Sequence, residues 1–364
     1  MFQENQIVLS ISEYLNHKFP NAIKNKEAFR SFTSPEEEFE SLRHGVGLRI
    51  NFSHALIQLT GSDVLDFLHR ISTNSIKDLK TFEKRNTIFL NEKGKFIDRT
   101  TLVSLENDFF LIGSANENRC LFSWINKFII TEDIKTKDVS GNYSIIDFIG
   151  PQTESFLTLL LGKEINSVDS TKVRRYDVDG FTFHFFMNIE NNGVKIYKAL
   201  INSEKDLAFI DYLFSISSVF DLQIVGDDAY DAFRIENGIP AFPNEINDET
   251  NPHEVNLIQE VCFKKGCYIG QEVIARLDTY NKIQKKLFIV TPNNSVASSE
   301  SLIIIDSEKN EAGKITTLSK DELLTEQKGL ALVRRKAFEG GTLFSTVFNK
   351  NEIRIKISEL PLKS

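Results

Sequence analysis

The sequence predicts an α+β protein ending in a small β-barrel, and three patterns carry that expectation. A strand, a helix and an antiparallel hairpin follow one another between residues 55 and 112, an order that favours α+β over a doubly wound parallel sheet. Residues 144–161 repeat the strand, glycine-turn and helix logic of residues 55–70, which points to two similar α+β halves. Beyond Arg276, short β-like runs alternate with polar turns, as in a small all-β barrel. A chain of 364 residues is long enough for two or three such units with separate cores.

Taken in order, Ser34 and Pro35 supply an N-cap and a first helical residue for a helix running to about Arg43, where Gly45 and Gly47 break it. Residues 55–60 read as a strand, and Gly61-Ser62 as a turn. Ser62 or Asp63 caps the helix 64–70, whose apolar residues share one face. Asn91-Glu92-Lys93-Gly94-Lys95 reads as a hairpin turn, followed by strands at 101–103 and 109–112. A helix over 117–129 is expected to bury Cys120 and Trp124 with Leu121, Phe122, Ile125 and Phe128. Strands follow within 173–186, where His184 reads as a core or neighbouring-strand histidine, and at 193–199. Helices are expected at 204–214 and 227–236, the second stopped by Gly238 and Pro240. Residues 241–258 are polar and turn-rich, and read as a surface crossing. The expected units are 1–140 (interleaved with later segments), 141–280 and a barrel over 281–364.

Bulk properties narrow the function. A net charge of −8 disfavours binding to bulk nucleic acid. Cys120, Cys262 and Cys267 are too few for a disulfide framework, and their spacing fits no zinc or iron–sulfur pattern; a metal shared by Cys267 and His253 is disfavoured. No secretory leader pattern opens the sequence, and no apolar run reaches membrane-spanning length, so a cytoplasmic location and no membrane association are expected. Dinucleotide, P-loop, zinc-hydrolase and nucleophile-elbow motifs are all missing.

The densest chemistry lies in Lys265-Gly266-Cys267-Tyr268-Ile269-Gly270-Gln271-Glu272. Cys267 is a candidate thiolate that Lys265 would favour if both face one side; the alternative is a small residue packing a tight loop. Arg234 and Glu236, two apart on a helix, point to different faces. A carboxylate such as Glu236 can accept from two N–H donors of an amino-pyrimidine ring, and an ordinary surface ion pair is the competing reading. Asp98, at a strand start before Arg99, is either a pocket acid or turn chemistry. Lys282, Lys285 and Lys286 form a basic run that suits a solvated strand end or a phosphate contact.

With these residues in view, the chain resembles the aminomethyltransferase-like (GcvT-like) folate-binding superfamily, and within it the YgfZ-type branch that supports iron–sulfur proteins. The octet Lys265–Glu272 and the block Arg234–Pro240 carry the resemblance. Weaker support comes from Gly61-Ser62-Asp63, Thr73-Asn74, Asn91–Gly94 and Gly329–Leu332. The resemblance implies three domains in a ring, two α+β and one C-terminal β-barrel, with a tetrahydrofolate in the central channel. It implies Glu236 for the pterin ring, with Arg234, Asn74, Asp98, Tyr268 and Gln271 also bordering the cofactor, and Cys267 with Lys265 as the reactive pair. It further implies a monomer that serves iron–sulfur client proteins or assembly factors, supporting [4Fe–4S] enzymes including tRNA-modifying ones. The alternative is a folate-dependent one-carbon transferase acting on an unknown amine. Glycine-cleavage aminomethyltransferases carry Asp-Asp where this chain has Asp98-Arg99, which argues against simple aminomethyl transfer.

Overall fold

Two open sheets and one closed barrel carry the chain in the computed structural model, which describes residues 10–25, 28–52, 54–114, 119–190, 192–280, 283–297, 301–320, 323–340 and 343–361. The first sheet has five strands, in the order Lys84–Leu90, Phe96–Ser104, Phe109–Ile112, Leu56–Thr60 and Lys135–Asp138. The second has six, in the order Val173–Val178, Phe181–Ile189, Lys195–Asn202, Tyr143–Ile149, Val46–Ile50 and Leu222–Ile224. Strand Val46–Ile50, which the sequence reading assigns to the first unit, thus hydrogen-bonds into the second sheet. Six strands between Lys285 and Ser358 close the C-terminal barrel. One of them is Phe344–Phe348.

The internal repeat is real. Leu56–Thr60 and Tyr143–Ile149 each lead through a glycine into a helix, Val64–Ile71 and Thr153–Leu161. Gly61 and Gly150 adopt φ of 127° and 119°, angles open to glycine alone. Each first turn is also crowded: a Cβ on Gly61 would lie 1.9 Å from the Asp133 carbonyl oxygen, and one on Gly150 2.5 Å from that of Gly45. Helix Val64–Ile71 buries Val64, Phe67, Leu68 and Ile71, the helical stripe its sequence predicts. Helix Pro35–His44 starts as expected, with Ser34 Oγ accepting from the Glu37 amide at 3.1 Å.

Each body touches the other two. Leu56, Val103 and Phe110 of the first sheet pack on Ile145, Phe186 and Leu200 of the second. Ile88, Leu90 and Phe96 meet barrel residues Leu287, Leu330 and Leu332 through Ile246, Val255, Leu257, Tyr268 and Ile274. Helices Pro35–His44 and Asp227–Glu236 lie on the second sheet and meet Leu323 and Leu324. Three pairwise interfaces close a ring.

Two expectations fail. Residues 241–258 do not cross the surface: Glu245, Val255 and Leu257 are fully buried. The segment satisfies its own polar groups, with Thr250 Oγ1 donating to the Glu245 carbonyl at 2.7 Å and Asn251 Oδ1 accepting from the His253 amide at 3.0 Å, so its turns can be buried without orphaned donors. Cys120 is exposed, because the buried stripe of helix Cys120–Lys127 runs through Leu121 and Ile125. Trp124 does pack inward, edge-on to Phe89 at 5.4 Å. Lys282 lies outside the described residues. No helix of the described residues is long and apolar enough to cross a membrane.

Candidate functional site

Between the two open sheets, a cavity of about 270 Å³ opens. Asn86, Arg99, Thr101 and Ile112 of the first sheet line it, with Arg49, Asp147, Asn188, Ile196 and Lys198 of the second. Tyr230, residues 239–243 and Ile246 complete the wall. Charged and amide side chains line much of this cavity, with Ile112, Ile196, Ile239, Pro240, Phe242 and Ile246 supplying apolar surface, a mixture that suits a polar-edged small molecule.

The polar wall is one connected network. Arg99 donates from Nη1 to Glu190 Oε2 at 3.0 Å, and from Nη2 and Nε to Glu260 Oε1 at 2.6 and 3.0 Å. Asn86 Nδ2 donates to Glu260 at 3.4 Å, Thr101 Oγ1 to Asn86 Oδ1 at 3.0 Å, and Asn188 Nδ2 to Thr101 at 3.3 Å. Lys84 Nζ then donates to Asn188 Oδ1 at 2.5 Å, and burial brings this amine down to about 7. Satisfied buried networks of this kind hold their members in one geometry.

Asp98 sits directly behind the wall. Its carboxyl accepts from the Ser114 amide at 3.1 Å and the Arg99 amide at 2.8 Å, yet burial pushes it up to about 7. Gly113, a wall residue, makes the room: a Cβ there would lie 2.4 Å from Asp98 Oδ2. Burial therefore favours the protonated form of Asp98 behind the cavity wall.

The remaining sequence candidates fall into two groups. Asn74 supports the wall from behind, its Nδ2 donating to the Asn86 carbonyl at 2.8 Å. Arg234 and Glu236 do not line the cavity. Arg234 is 1 % exposed and clamps Glu245 at 2.9 Å, while its Nη2 donates to Thr317 of the barrel at 3.1 Å. Glu236 faces Arg43 at 3.7 Å and Lys328 at 3.5 Å.

The octet is mostly architecture. Lys265 Nζ donates to the main-chain carbonyls of His69, Ser72 (2.5 Å) and Asn74 (3.0 Å). It thereby caps helix Val64–Ile71, whose last carbonyls have no helical partner. Its nearest thiol in charge terms is Cys262, and burial brings it down to about 8. The expected Lys265–Cys267 pair is thus replaced by a lysine turned onto carbonyls. Tyr268 is buried among the residues joining the first sheet to the barrel. Gly270, at φ 82°, lets the loop touch Asn91, where a Cβ would lie 2.6 Å from the carbonyl oxygen. Gln271 begins helix Gln271–Thr279 away from the cavity wall. Cys267 is exposed, and it too lies off that wall. His253 is spent on the Ile274 carbonyl at 3.2 Å, and no cluster of metal-ligating side chains occurs among the described residues.

Sequence reasoning passed over Glu190, Glu260, Lys84 and the set Arg49, Asp147 and Lys198. A signal for the last three was present: each is a charged residue flanked on both sides by hydrophobic or aromatic neighbours within its strand, Val46–Ile50, Tyr143–Ile149 and Lys195–Asn202.

Known proteins are similar to this chain in sequence and in fold. The chain is 26 % identical over 337 residues to the putative transferase At1g60990, chloroplastic, of Arabidopsis thaliana, covering 91 % of this chain and 74 % of that one. It is 22 % identical over 338 residues to an aminomethyltransferase of Staphylococcus carnosus, covering 90 % and 89 %. The solved glycine cleavage system aminomethyltransferase T of Bartonella henselae superposes with a TM-score of 0.81 at 18 % identity, covering 95 % of both chains, so the fold is the GcvT-like ring with its terminal barrel. The model of the GCVT N-terminal domain matches residues 10–265. Most of the ring, including both sheets that form the cavity, lies within that match, and the chain belongs to the GCVT N-terminal domain family.

Proposed function

We propose that the central cavity holds the pterin ring of a tetrahydrofolate and that the chain is a folate-dependent one-carbon transferase acting on an amine. The observation that carries this reading is the Glu190–Arg99 pair on the cavity wall, a carboxylate acceptor and a guanidinium donor side by side. An amino-pyrimidine edge offers complementary donors and an acceptor. A bound reduced folate supplies a ring nitrogen that carries the one-carbon unit. Moving that unit between two amine nitrogens requires each to gain or lose a proton; Asp98, whose carboxyl burial pushes up to about 7, lies behind the wall residue Gly113 and not on the wall itself. Family membership agrees with a folate ligand.

The departure at Arg99 shapes this site. Arg99 is neutralised by Glu190 and Glu260, so a cation here does not leave the cavity with an uncompensated positive charge. Titration calorimetry with tetrahydrofolate tests the reading. Glu190→Gln is expected to weaken binding by roughly tenfold or more, the loss of a charged acceptor. Absence of binding to the wild-type chain at millimolar ligand would sink it.

One observation favours a second reading, that of an accessory protein for iron–sulfur assembly or repair. Cys267 is the exposed thiol of an octet whose Lys265, Tyr268 and Gly270 are fixed in place, so the loop is built to present it. Cells carrying Cys267→Ala would lose [4Fe–4S] enzyme activity under this reading, and full activity in them rejects it.

A further inference from the structure

We propose that Leu360 and Pro361, just beyond the last barrel strand, form a strap across one end of the central cavity, and that a small molecule held there exchanges with solvent when the strap lifts. This rests on the reading of that cavity as a folate site and adds a gate to it.

The strap is placed by a glycine. The last barrel strand ends at Ser358, and the chain then crosses to the turn that follows helix Asp227–Glu236. There it lies on Gly238, where a Cβ would stand 2.9 Å from Leu360 Cδ2 and 3.2 Å from Pro361 Cδ. Gly238, at φ 65°, therefore serves twice: it stops the helix, and it lets the strap lie flat. Leu360 is half-buried on the cluster that joins the first sheet to the barrel.

Two spaces meet at this strap. One is a pocket of about 270 Å³ whose wall includes Ile258, Lys286, Leu287, Phe288 and Glu359. The other is a slot of about 10 Å³ beneath Leu360 and Pro361, the lower limit of room for one water. Asn256 and Leu360 line both, so lifting Leu360 joins them. The slot in turn shares Glu190, Ile239 and Pro240 with the central cavity. Outer pocket, slot and cavity thus follow one another, with the strap lying between the first two.

The strap is also the most weakly held part of that route. Among the described residues, no hydrogen bond or ion pair ties down residues 359–361. The wall beneath is fixed: the Ile239 amide donates to the Arg234 carbonyl at 2.8 Å, and Asn192 Nδ2 to the Asn237 carbonyl at 2.9 Å. A segment held by a few apolar contacts opens locally far more often than the whole fold does. Neither strap residue lines the central cavity, so removing them takes no contact from a ligand there. A gate of this kind sets the rates of entry and exit and leaves affinity unchanged.

Two variants leave every barrel strand whole: a chain ending at Ser358, and Leu360→Ser in the full chain. Stopped-flow mixing with tetrahydrofolate is expected to show association and dissociation both faster by roughly tenfold in each variant, with Kd within about twofold of wild type. A second readout needs no folate. Ile239→Cys puts a thiol in the partition between slot and cavity, and its alkylation by iodoacetamide, followed on that peptide by mass spectrometry, should quicken roughly tenfold when the chain ends at Ser358. Unchanged binding rates in both variants overturn the proposal, and so does a weaker Kd with unchanged association, which would make the strap a support for the site. Failure of the wild-type chain to bind tetrahydrofolate overturns the folate reading instead. The alkylation rate then decides the strap alone, and equal rates with and without residues 359–364 reject it.

Discussion

Asp98→Asn removes an ionisable group from the cavity's rear wall with little change of shape. The Asp98 carboxyl is 3 % exposed, and its pKa stands at about 7 against an ordinary 3.8. That difference, at about 1.4 kcal/mol per pH unit, links folding to pH by up to about 4 kcal/mol. The sign follows from proton affinity: the folded chain binds this proton more tightly than the unfolded one. The contribution is therefore complete below pH 4 and is lost as pH rises through 7. Wild type should lose stability across this window relative to Asp98→Asn, whose amide does not titrate. The assay is urea unfolding of both proteins from pH 4 to 8, together with a ¹³C-carboxyl titration of the aspartates. The difference in unfolding free energy should grow in favour of the variant as pH rises, and one carboxyl should titrate near neutrality. Parallel stability profiles, with every aspartate titrating near 4, would refute burial as the controlling term.

Two further outcomes concern the ties around the cavity. Arg234→Met should cost about 3–5 kcal/mol, because it strands the fully buried Glu245 without its cation; limited proteolysis should then release the barrel early, and barrel release at the wild-type rate counts against the tie. Lys265→Met should cost about 2–3 kcal/mol by withdrawing a charged donor from three carbonyls, whereas Cys267→Ser should stay within about 0.5 kcal/mol because the side chain is exposed. Equal losses by thermal denaturation would reject the division of the octet into architecture and presented thiol.

The sequence by itself determined the local elements. The cap at Ser34, the apolar stripe of Val64–Ile71, the stop at Gly238 and the glycine turns at Gly61 and Gly150 each follow from short-range sterics and hydrogen bonding, so neighbours in the chain suffice to read them. The octet Lys265–Glu272 was also legible as special, while Asp98 read equally as a pocket acid or as turn chemistry. Only the tertiary structure decided what those residues do. Lys265 caps a helix almost two hundred residues away, Arg234 meets a glutamate and the barrel, and the cavity takes Glu190 where Glu236 was expected. The row Arg49–Asp147–Lys198 exists because three strands distant in sequence hydrogen-bond in one register. Burial and charge pairing depend on which surfaces meet, and in a ring of three bodies the surfaces that meet come from opposite ends of the chain.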